Sequence, residues 1–264
     1  MRSMNDQNIL IRNDGDGITT LTLNRPNALN SLSISLIRAL RGELLSIKSD
    51  ESVRVVILAG AGNAFCAGHD LKEMRAHEYA KDYSVELFEE CAQLMQEIVR
   101  LPKPMIAKVH GVASAAGCQL VASCDLAIAA QDAKFATPGV NIGLFCSTPM
   151  VALSRNIAPK HAMEMLLTGE LMDAPTAQRF GLVNHVVPLS ELDDRTWSMA
   201  CQIAAKSPLT LAIGKEAFYR QLEMPLSQAY AYTRDVMVEN LHTQDAQEGI
   251  NAFIDKRAPT WCGQ

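Results

Sequence analysis

The amino-acid sequence predicts an α/β fold, and three observations support this. Apolar runs typical of buried strands, such as Val53 to Leu58 and Met105 to Val109, alternate with segments of helical periodicity. Strands that alternate with helices form parallel βαβ units. Beyond Pro149 the pattern becomes mostly helical, and no internal repeat or low-complexity linker divides the 264 residues. We therefore expect one α/β core followed by a helical C-terminal region.

The predicted elements begin with a hairpin. Ile9 to Arg12 and Ile18 to Leu23 flank a turn rich in Asn, Asp and Gly, which is typical of paired strands. Ser33 is a residue type that caps a helix, here one that extends to about Ser49. The polar segment from Lys72 to Tyr83 indicates a mobile stretch. The elements that follow are helices over about Val85–Arg100 and Gly117–Ala122 and the strands Leu126–Ala129 and Lys134–Ala136.

Helical periodicity recurs through the rest of the chain, interrupted by one strand-like run from Val183 to Val187. We assign this region to the same structural unit as the core. The predicted helices are Lys160–Leu167, Ala174–Phe180, Leu189–Ala205, Pro208–Leu222, Leu226–Asn240 and Gln244–Asp255.

Composition and charge exclude several functional classes. The formal net charge is −5 and no block rich in lysine or arginine occurs, which argues against a nucleic-acid surface. No window has the ~18 consecutive apolar residues of a membrane span, and the polar segment Met1 to Asn8 lacks the features of a secretory signal. The 7 cysteines form no C-x-x-C pair and the 6 histidines show no paired spacing with them, so we expect reduced thiols and no metal site. These features predict a cytoplasmic protein.

Two turns rich in small residues dominate the sequence, at residues 63–71 and 110–119. Each follows a predicted buried strand. Small residues let the backbone approach a ligand closely, and a strand-to-helix turn directs its N–H groups outward. Two such turns on neighbouring strands would supply two amide donors to one oxygen, which is the geometry of an oxyanion hole.

Several motifs, in this order and spacing, resemble those of one superfamily. They are Leu23 to Asn30, Ala64 to Leu71, Ala115 to Leu120, Cys124 to Ala127, Phe135 to Pro138, Ala174 to Ala177 with Gly181 to Val183, and Glu248 to Phe253. Together they cover essentially the whole chain and are similar to the crotonase, or enoyl-CoA hydratase/isomerase, superfamily. Asn141 to Pro149 most resembles one subgroup, the enoyl-CoA hydratase domain-containing protein 3 type. The resemblance implies a crotonase (ClpP-like) spiral of ββα repeats over residues 1–200 and a C-terminal helical trimerisation region over residues 201–264.

The same resemblance implies the ligand and the partners. Members bind acyl-coenzyme A thioesters and stabilise an enolate-like thioester oxygen with two backbone amides, which correspond by position to Ala67 and Ala116. Two fixed donors in a dry site lower such a barrier by roughly 2.7–4 kcal/mol each. Coenzyme A then enters as part of the substrate, and no separate cofactor is expected. A homotrimer or a dimer of trimers is implied, with no nucleic-acid or membrane partner.

The sequence departs from the family at the positions of its two catalytic glutamates. These positions correspond to Gln119 and Gly139. A glutamine amide orients water but exchanges no proton near neutral pH, and glycine supplies no side chain. Because each general acid–base contribution is roughly 10²–10⁴-fold, ordinary hydration should be severely reduced. Two hypotheses follow: an acyl-CoA enzyme that relies on its oxyanion hole, and a non-catalytic acyl-CoA-binding or regulatory protein.

Other side chains near the turns have both a chemical and a structural interpretation. Asp70 is a potential base, but its type and place favour a helix cap. His69 stands where the family often has a small residue, and it either contacts ligand phosphates, titrates near neutral pH or has no chemical role. A nucleophilic role for Cys146 or Ser147 lacks an identifiable base, so packing is favoured. A solvated helix face is the favoured interpretation of three glutamates, Glu86, Glu89 and Glu90.

Further residues are predicted to contact the ligand. Arg25 lies in the loop that in the family meets the adenosine or phosphates of coenzyme A. Lys256, after Phe253, corresponds to a position that reaches the ligand of a neighbouring subunit; for both cations an exposed charge is the alternative interpretation. Met74 to Tyr83 is a candidate lid over the acyl chain. The two turns add Ala64, Leu71 and Gly117 to the predicted substrate-binding residues.

Overall fold

Strands and helices alternate along the chain as predicted, in a computed structural model that describes residues 8–264. The expectation about a secretory signal concerns residues 1–8, almost all of which lie outside this range. The strands are β1 (Leu10–Gly15), β2 (Ile18–Leu23), β3 (Val55–Gly60), β4 (Ala64–Cys66), β5 (Met105–Val109), β6 (Val112–Ser114), β7 (Leu126–Ala130), β8 (Lys134–Ala136), β9 (Met172–Asp173) and β10 (His185–Val187). The helices are α1 (Ile34–Ser49), α2 (Leu71–Ala76), α3 (Lys81–Arg100), α4 (Ala116–Ser123), α5 (Pro149–Asn156), α6 (Pro159–Thr168), α7 (Ala174–Phe180), α8 (Leu192–Ala204), α9 (Pro208–Gln221), α10 (Leu226–Leu241) and α11 (Gln244–Ile254).

The strands form two sheets. The larger has the order β1-β2-β3-β5-β7-β10, with an antiparallel β1–β2 hairpin and parallel pairing from β2 onward. The smaller has the order β4-β6-β8-β9 and is parallel except at β9. Twice along the chain, a strand of the larger sheet is followed by a short strand of the smaller sheet and then by a helix. These two runs are β3-β4-α2 and β5-β6-α4. This arrangement confirms the predicted ββα repeat.

The larger sheet has a hydrophobic core on each face. Alternate residues of a strand point to opposite faces, so β3 contributes Val56 and Leu58 to one cluster and Val55 and Ile57 to the other. The first cluster includes the buried faces of α1 and α3, and the second includes Leu192 and its neighbours on α8. The two-sided burial explains why these strands have continuous apolar runs.

Several short elements differ from the predictions. Strands β4 and β6 lie inside segments predicted as turns, because strands of three residues have too few positions to show a period. Helix α5 and strand β9 were also not predicted. The segment predicted to be mobile contains most of α2 and the first three residues of α3. Asp70 caps α2 by accepting hydrogen bonds from two of its backbone amides. The division between residues 200 and 201 stays a prediction, and this boundary lies within α8.

A half-buried polar cluster ties helix α9 to the core. Asp125, just after α4, accepts hydrogen bonds from the Met105 amide at 2.7 Å and the Tyr219 hydroxyl at 2.9 Å. Lys215 Nζ lies 2.7 Å from the same carboxylate and also donates to two backbone carbonyls. Charge-assisted hydrogen bonds of this kind hold α9 against the core. Across residues 8–264, no helix is both long and apolar enough to cross a bilayer.

Candidate active site

The two small-residue turns lie against each other. Gly68, between β4 and α2, has a φ of +98°. A Cβ atom added there would lie 2.9 Å from the Ala115 Cβ and 3.0 Å from the Ser114 carbonyl oxygen. Only glycine fits both this backbone conformation and this contact. The sequence therefore brings the start of α2 next to the start of α4.

In the first turn, the backbone amide without an acceptor is not the one predicted to bind the ligand. The Ala67 amide donates to the Leu29 carbonyl at 3.0 Å, so Ala67 as a donor to the ligand is wrong. Leu32 pairs in parallel with His69, bonding to the Gly68 carbonyl at 2.7 Å and the Asp70 amide at 3.0 Å. In this pattern the N–H of the central residue faces away from the partner strand. Within residues 8–264, the His69 amide has no acceptor.

The second turn presents the Ala116 amide in a similar way. Ala115 has φ 49° and ψ −117°, a conformation costly for a residue other than glycine, and its own amide donates to the Ala136 carbonyl at 2.9 Å. Ala116 is the first residue of α4, and its amide has no acceptor in the described part of the chain. Each donor thus follows a residue with positive φ, Gly68 before His69 and Ala115 before Ala116. The amide end of α4 also favours negative charge at this place.

The two positions predicted to correspond to the catalytic glutamates of the family are in different environments. Gln119 is 4% exposed, and its Oε1 atom has no hydrogen-bond partner among the described residues. An unpaired buried acceptor costs roughly 1–3 kcal/mol, which a ligand or water at this place would recover. Position 139 has no room for a side chain, because a Cβ atom on Gly139 would lie 2.6 Å from the Leu144 carbonyl oxygen and 2.9 Å from Cys146 Sγ.

The His69 side chain is half-buried. Its Nε2 atom has no hydrogen-bond partner in the described region and almost no solvent-accessible surface. The ring packs edge to face against Phe88 of α3, with centroids 5.1 Å apart. Burial lowers the pKa of His69 to about 4, so the imidazole is neutral at physiological pH. Of the earlier interpretations, titration near neutral pH is disfavoured by this burial.

Asp70 and Arg25 brace the first turn. Asp70 Oδ1 accepts hydrogen bonds from the amides of Lys72 and Glu73 at 3.1 and 3.2 Å, and Oδ2 accepts from Arg25 at 2.8 Å. Burial raises the pKa of Asp70, but the Arg25 guanidinium and the α2 amides outweigh burial, so the pKa lies below its ordinary value. Arg25 also donates to the Ser31 carbonyl at 2.5 Å. The structure supports the helix cap for Asp70 and commits much of the Arg25 guanidinium to the fold.

The other candidate nucleophiles and bases are buried, or they form hydrogen bonds and ion pairs with neighbouring residues. Burial raises the pKa of the Cys146 thiol, which disfavours the thiolate, and Ser147 is exposed and bonded to the Phe145 carbonyl. Glu86 and Glu90 pair with Arg38 and Arg41 on α1, while Glu89 accepts from Gln93.

The remaining residues predicted to contact the ligand lie in the two turns and at the end of α11. Gly117 packs against the first turn, since a Cβ there would lie 2.1 Å from the Cys66 carbonyl oxygen. Ala64 is buried in β4, and Leu71 is exposed at the start of α2. Phe253 and Lys256 are exposed at the end of α11, which packs on α9 and α10. Ligand contact by these residues stays a prediction.

Comparison with known proteins shows the family. The sequence model described as enoyl-CoA hydratase/isomerase matches residues 13–264. The chain belongs to the enoyl-CoA hydratase/isomerase family. Enoyl-CoA hydratase domain-containing protein 3, mitochondrial, of Xenopus laevis is 50% identical over 245 residues, covering 93% of this chain and 83% of the relative. The Homo sapiens protein of the same name is 46% identical over 246 residues, covering 93% and 81%.

Solved structures confirm the crotonase fold within this family. A crystal structure titled as enoyl-CoA hydratase of Mycobacterium smegmatis has a TM-score of 0.94 and 52% identity, covering 96% of this chain and 98% of that one. The structure of human enoyl-CoA hydratase domain-containing protein 3 has a TM-score of 0.93 and 44% identity, covering 96% and 100%. The predicted resemblance to this subgroup is confirmed. The expected cytoplasmic location is contradicted, because the vertebrate relatives of this name are called mitochondrial.

Proposed function

We propose that this chain processes acyl-CoA thioesters, stabilising the thioester oxyanion with the amides of His69 and Ala116. The observation that carries the proposal is the pair of amides without acceptors, each placed after a residue of positive φ on two turns in contact. A developing enolate concentrates negative charge on one oxygen, so two fixed donors stabilise the transition state more than the ground state.

The side chains of the site support a reaction other than efficient hydration. Hydration needs one group to activate water and another to deliver a proton. Gln119 supplies a neutral amide, and the backbone around Gly139 leaves no room for a side chain. Isomerisation, decarboxylation and thioester hydrolysis all pass through a charged thioester oxygen, so the two amides serve any of them. We expect residual hydratase activity at most.

Coenzyme A is proposed to enter as part of the substrate, without a separate cofactor. The assembly is proposed to be a homotrimer or a dimer of trimers, with Phe253 and Lys256 near the ligand of a neighbouring subunit. A set of exposed apolar side chains on α9 to α11 supports burial of this region between subunits. They are Phe218, Leu222, Leu226, Tyr230, Met237, Val238, Leu241, Ile250, Phe253 and Ile254.

Two measurements on the unmodified protein test the proposed function. First, calorimetry compares butyryl-CoA with S-butyl-CoA, a thioether that lacks the carbonyl oxygen. Two charge-polarised hydrogen bonds predict at least about tenfold tighter binding of the thioester. Equal affinities would exclude the amide pair as the thioester site, and no binding of either would overturn the assignment to acyl-CoA.

Second, the protein is incubated with a panel of acyl-CoA thioesters and the products are identified by mass spectrometry. Turnover of at least one member is the expected result. Tight binding without product across hydratable, isomerisable, decarboxylatable and hydrolysable thioesters would instead establish the non-catalytic acyl-CoA-binding protein. Hydration of crotonyl-CoA at the rate of an enzyme with two glutamates would contradict the interpretation of Gln119 and Gly139.

A further inference from the structure

We propose that this site decarboxylates acyl-CoA thioesters that carry a carboxylate on the α-carbon, as malonyl thioesters do, and that the Gln119 side chain donates a hydrogen bond to that carboxylate. The inference rests on the proposed function, because the enolate that forms needs the amides of His69 and Ala116. Decarboxylation is thereby separated from the other reactions that pass through a charged thioester oxygen, and the substrate class is a 2-carboxyacyl-CoA.

Helix α4 places the Gln119 side chain near the end of the helix that carries the Ala116 amide. The Gln119 backbone amide donates to the Ala115 carbonyl at 3.0 Å, so Gln119 lies in the first turn, about 4.5 Å along the axis from Ala116. Residues three apart share a helix face, and helical side chains lean toward the amide end. The carboxamide of Gln119 is therefore within reach of a ligand that accepts from the Ala116 amide.

One end of the Gln119 carboxamide is available to a ligand. The residue is 4% exposed, and its Oε1 atom is enclosed without a partner. The Nε2 atom also forms no hydrogen bond within residues 8–264, but it is not enclosed. By contrast, His69 Nε2 and the Tyr83 hydroxyl are both unpaired and enclosed, so a ligand does not reach them. An amide N–H donates, and its hydrogen bond to a carboxylate is charge-assisted.

The surroundings of this donor suit an anionic acyl group. Helix α4 carries no charged side chain, and its amide end favours negative charge. Like charges about 4 Å apart repel each other strongly in a partly buried site, so a glutamate at position 119 would disfavour a substrate carboxylate. Gln119 is neutral, and position 139 has no room for a side chain. The two residues that disfavour hydration therefore place no negative charge against a substrate carboxylate.

The described residues leave the site without an available base. Asp70 uses both carboxylate oxygens for Arg25 and the amide end of α2. Burial raises the pKa of the Cys118 thiol to about 12 and raises that of Cys146 as well. The glutamates of α2 and of the first half of α3 bond to α1 or to a neighbour on α3; they are Glu73, Glu86, Glu89 and Glu90. Isomerisation needs a base and thioester hydrolysis needs an activated water, whereas decarboxylation needs neither.

The step balances without a base from the protein. The bond between the α-carbon and the carboxylate carbon breaks, and CO₂ leaves. The electron pair of that bond forms the double bond to the carbonyl carbon, and the carbonyl π electrons move onto the oxygen held by the two amides. The enolate then takes one proton from water at the α-carbon, which leaves hydroxide in solution. Because one neutral donor replaces the hydration shell of the carboxylate, Gln119 orients this group without stabilising it as strongly as water does.

Incubation with malonyl-CoA and methylmalonyl-CoA in D₂O tests the reaction class. The wild-type protein should release CO₂ and form acetyl-CoA and propionyl-CoA with deuterium at the α-carbon, observed by mass spectrometry. The matched substrate without a carboxylate is 3-butenoyl-CoA, which should not be isomerised. Butyryl-CoA should bind without exchange of its α-protons.

Substitutions at Gln119 test the proposed donor. Gln119→Met removes the donor at similar size, so kcat/KM for methylmalonyl-CoA should fall at least about tenfold. Gln119→Glu, measured at pH 8, adds a like charge and should lower it at least about 100-fold. In both variants the affinity for butyryl-CoA, which has no carboxylate, should stay within threefold of wild type. Gln96→Glu, the same change at an exposed position of α3, is the matched control and should retain the wild-type rate.

Four outcomes would count against the proposal. Decarboxylation within threefold of wild type in both Gln119 variants, or an equal loss of butyryl-CoA affinity, would overturn Gln119 as the donor to the carboxylate. Isomerisation of 3-butenoyl-CoA faster than decarboxylation would reveal an available base and overturn the reaction class. Binding of butyryl-CoA without CO₂ release from either substrate would also overturn it while leaving the proposed function intact. Absence of butyryl-CoA binding would refute the proposed function itself.

Discussion

The two donor turns of this protein resemble each other, whereas the two side-chain positions near them do not. In both turns a residue of positive φ precedes an amide that has no acceptor among residues 8–264. By contrast, Gln119 is a buried side chain with an unpaired oxygen, and Gly139 is closed by the Leu144 carbonyl and Cys146. The two turns therefore present their backbone amides in a similar way, whereas the side-chain positions 119 and 139 have different surroundings.

This difference follows from what each part requires of the sequence. A backbone N–H is present whatever the side chain, so His69 and Ala116 present similar donors on unlike residues. The requirement instead falls on the preceding residues, whose φ values turn the amides toward the site. Acid–base chemistry depends on the side chain itself, so one substitution removes it. Substitutions at Gly68, Gly139 and Gln119 test the contrast, in decreasing order of expected effect.

Gly68→Ala should have the largest effect. The new Cβ would combine a φ of +98° with contacts of 2.9 Å to the Ala115 Cβ and 3.0 Å to a backbone oxygen. Strain and overpacking together predict a loss of about 3 kcal/mol in the free energy of unfolding, measured by urea denaturation. Because the turn must shift, the affinity for butyryl-CoA should fall as well.

The matched control is Ala115→Gly in the second turn. Glycine relieves the cost of φ 49° and ψ −117° but adds freedom to the unfolded chain, so stability should change by less than about 1 kcal/mol. Similar losses of unfolding free energy in both variants would mean that packing, rather than the φ value, decides which residues these turns accept.

Gly139→Ala should have the next largest effect. Its Cβ would meet the Leu144 carbonyl oxygen at 2.6 Å, and a backbone oxygen cannot rotate away as a side chain can. We expect a loss of about 2 kcal/mol in unfolding free energy. Gly42→Ala, on an exposed position of α1 with nothing within 4 Å of the added Cβ, should instead stabilise by about 0.5–1 kcal/mol.

The same contact limits any attempt to restore the glutamate pair. Gly139→Glu adds the whole side chain behind the same Cβ, so it should destabilise at least as much as alanine and should not restore hydration. An unchanged midpoint of unfolding in Gly139→Ala would show that the loop carrying Leu144 and Cys146 moves readily, and the double replacement with Gln119→Glu would then become informative.

The sequence predicted the larger sheet well because its strands are buried on both faces and have long apolar runs. Strand β5 has the predicted bounds, Met105–Val109, and β3 differs by two residues at each end. Strands β4 and β6 could not be predicted in this way, because they have three residues each and pair only with each other and β8. Asp70 was favoured as a helix cap, but the bounds of α2 were not predicted because its six mostly polar residues show no apolar period.

The site was predicted in part. The order and spacing of the motifs located both turns, and the assignment of Gln119 and Gly139 to the family's two glutamate positions stays a prediction. The choice between the Ala67 and His69 amides depends on hydrogen bonding to Leu29 and Leu32, which lie more than thirty residues away in the chain. A signal was present in the sequence, since Gly68 precedes His69 as Ala115 precedes Ala116. The lack of space at Gly139 depends on the path of the loop that follows it. No feature of the neighbouring sequence indicates this path.

Gln119→Glu should have the smallest effect of the three substitutions on stability. Its loss of unfolding free energy should be larger at high pH than at low pH. No cation is bonded to the Gln119 side chain within residues 8–264, so burial should raise the pKa of the new carboxyl group above about 4.3 in the folded protein. A raised carboxyl pKa makes folding less favourable as the pH rises past the unfolded value, because the unfolded chain releases the proton first. We expect a difference in unfolding free energy from wild type that grows by about 1 kcal/mol between pH 4 and pH 8, measured by urea denaturation at each pH. Gln119→Met, similar in size and uncharged, should differ from wild type equally at both. A flat difference for the glutamate variant would mean that position 119 is hydrated, and the unpaired oxygen would then not be evidence for a ligand.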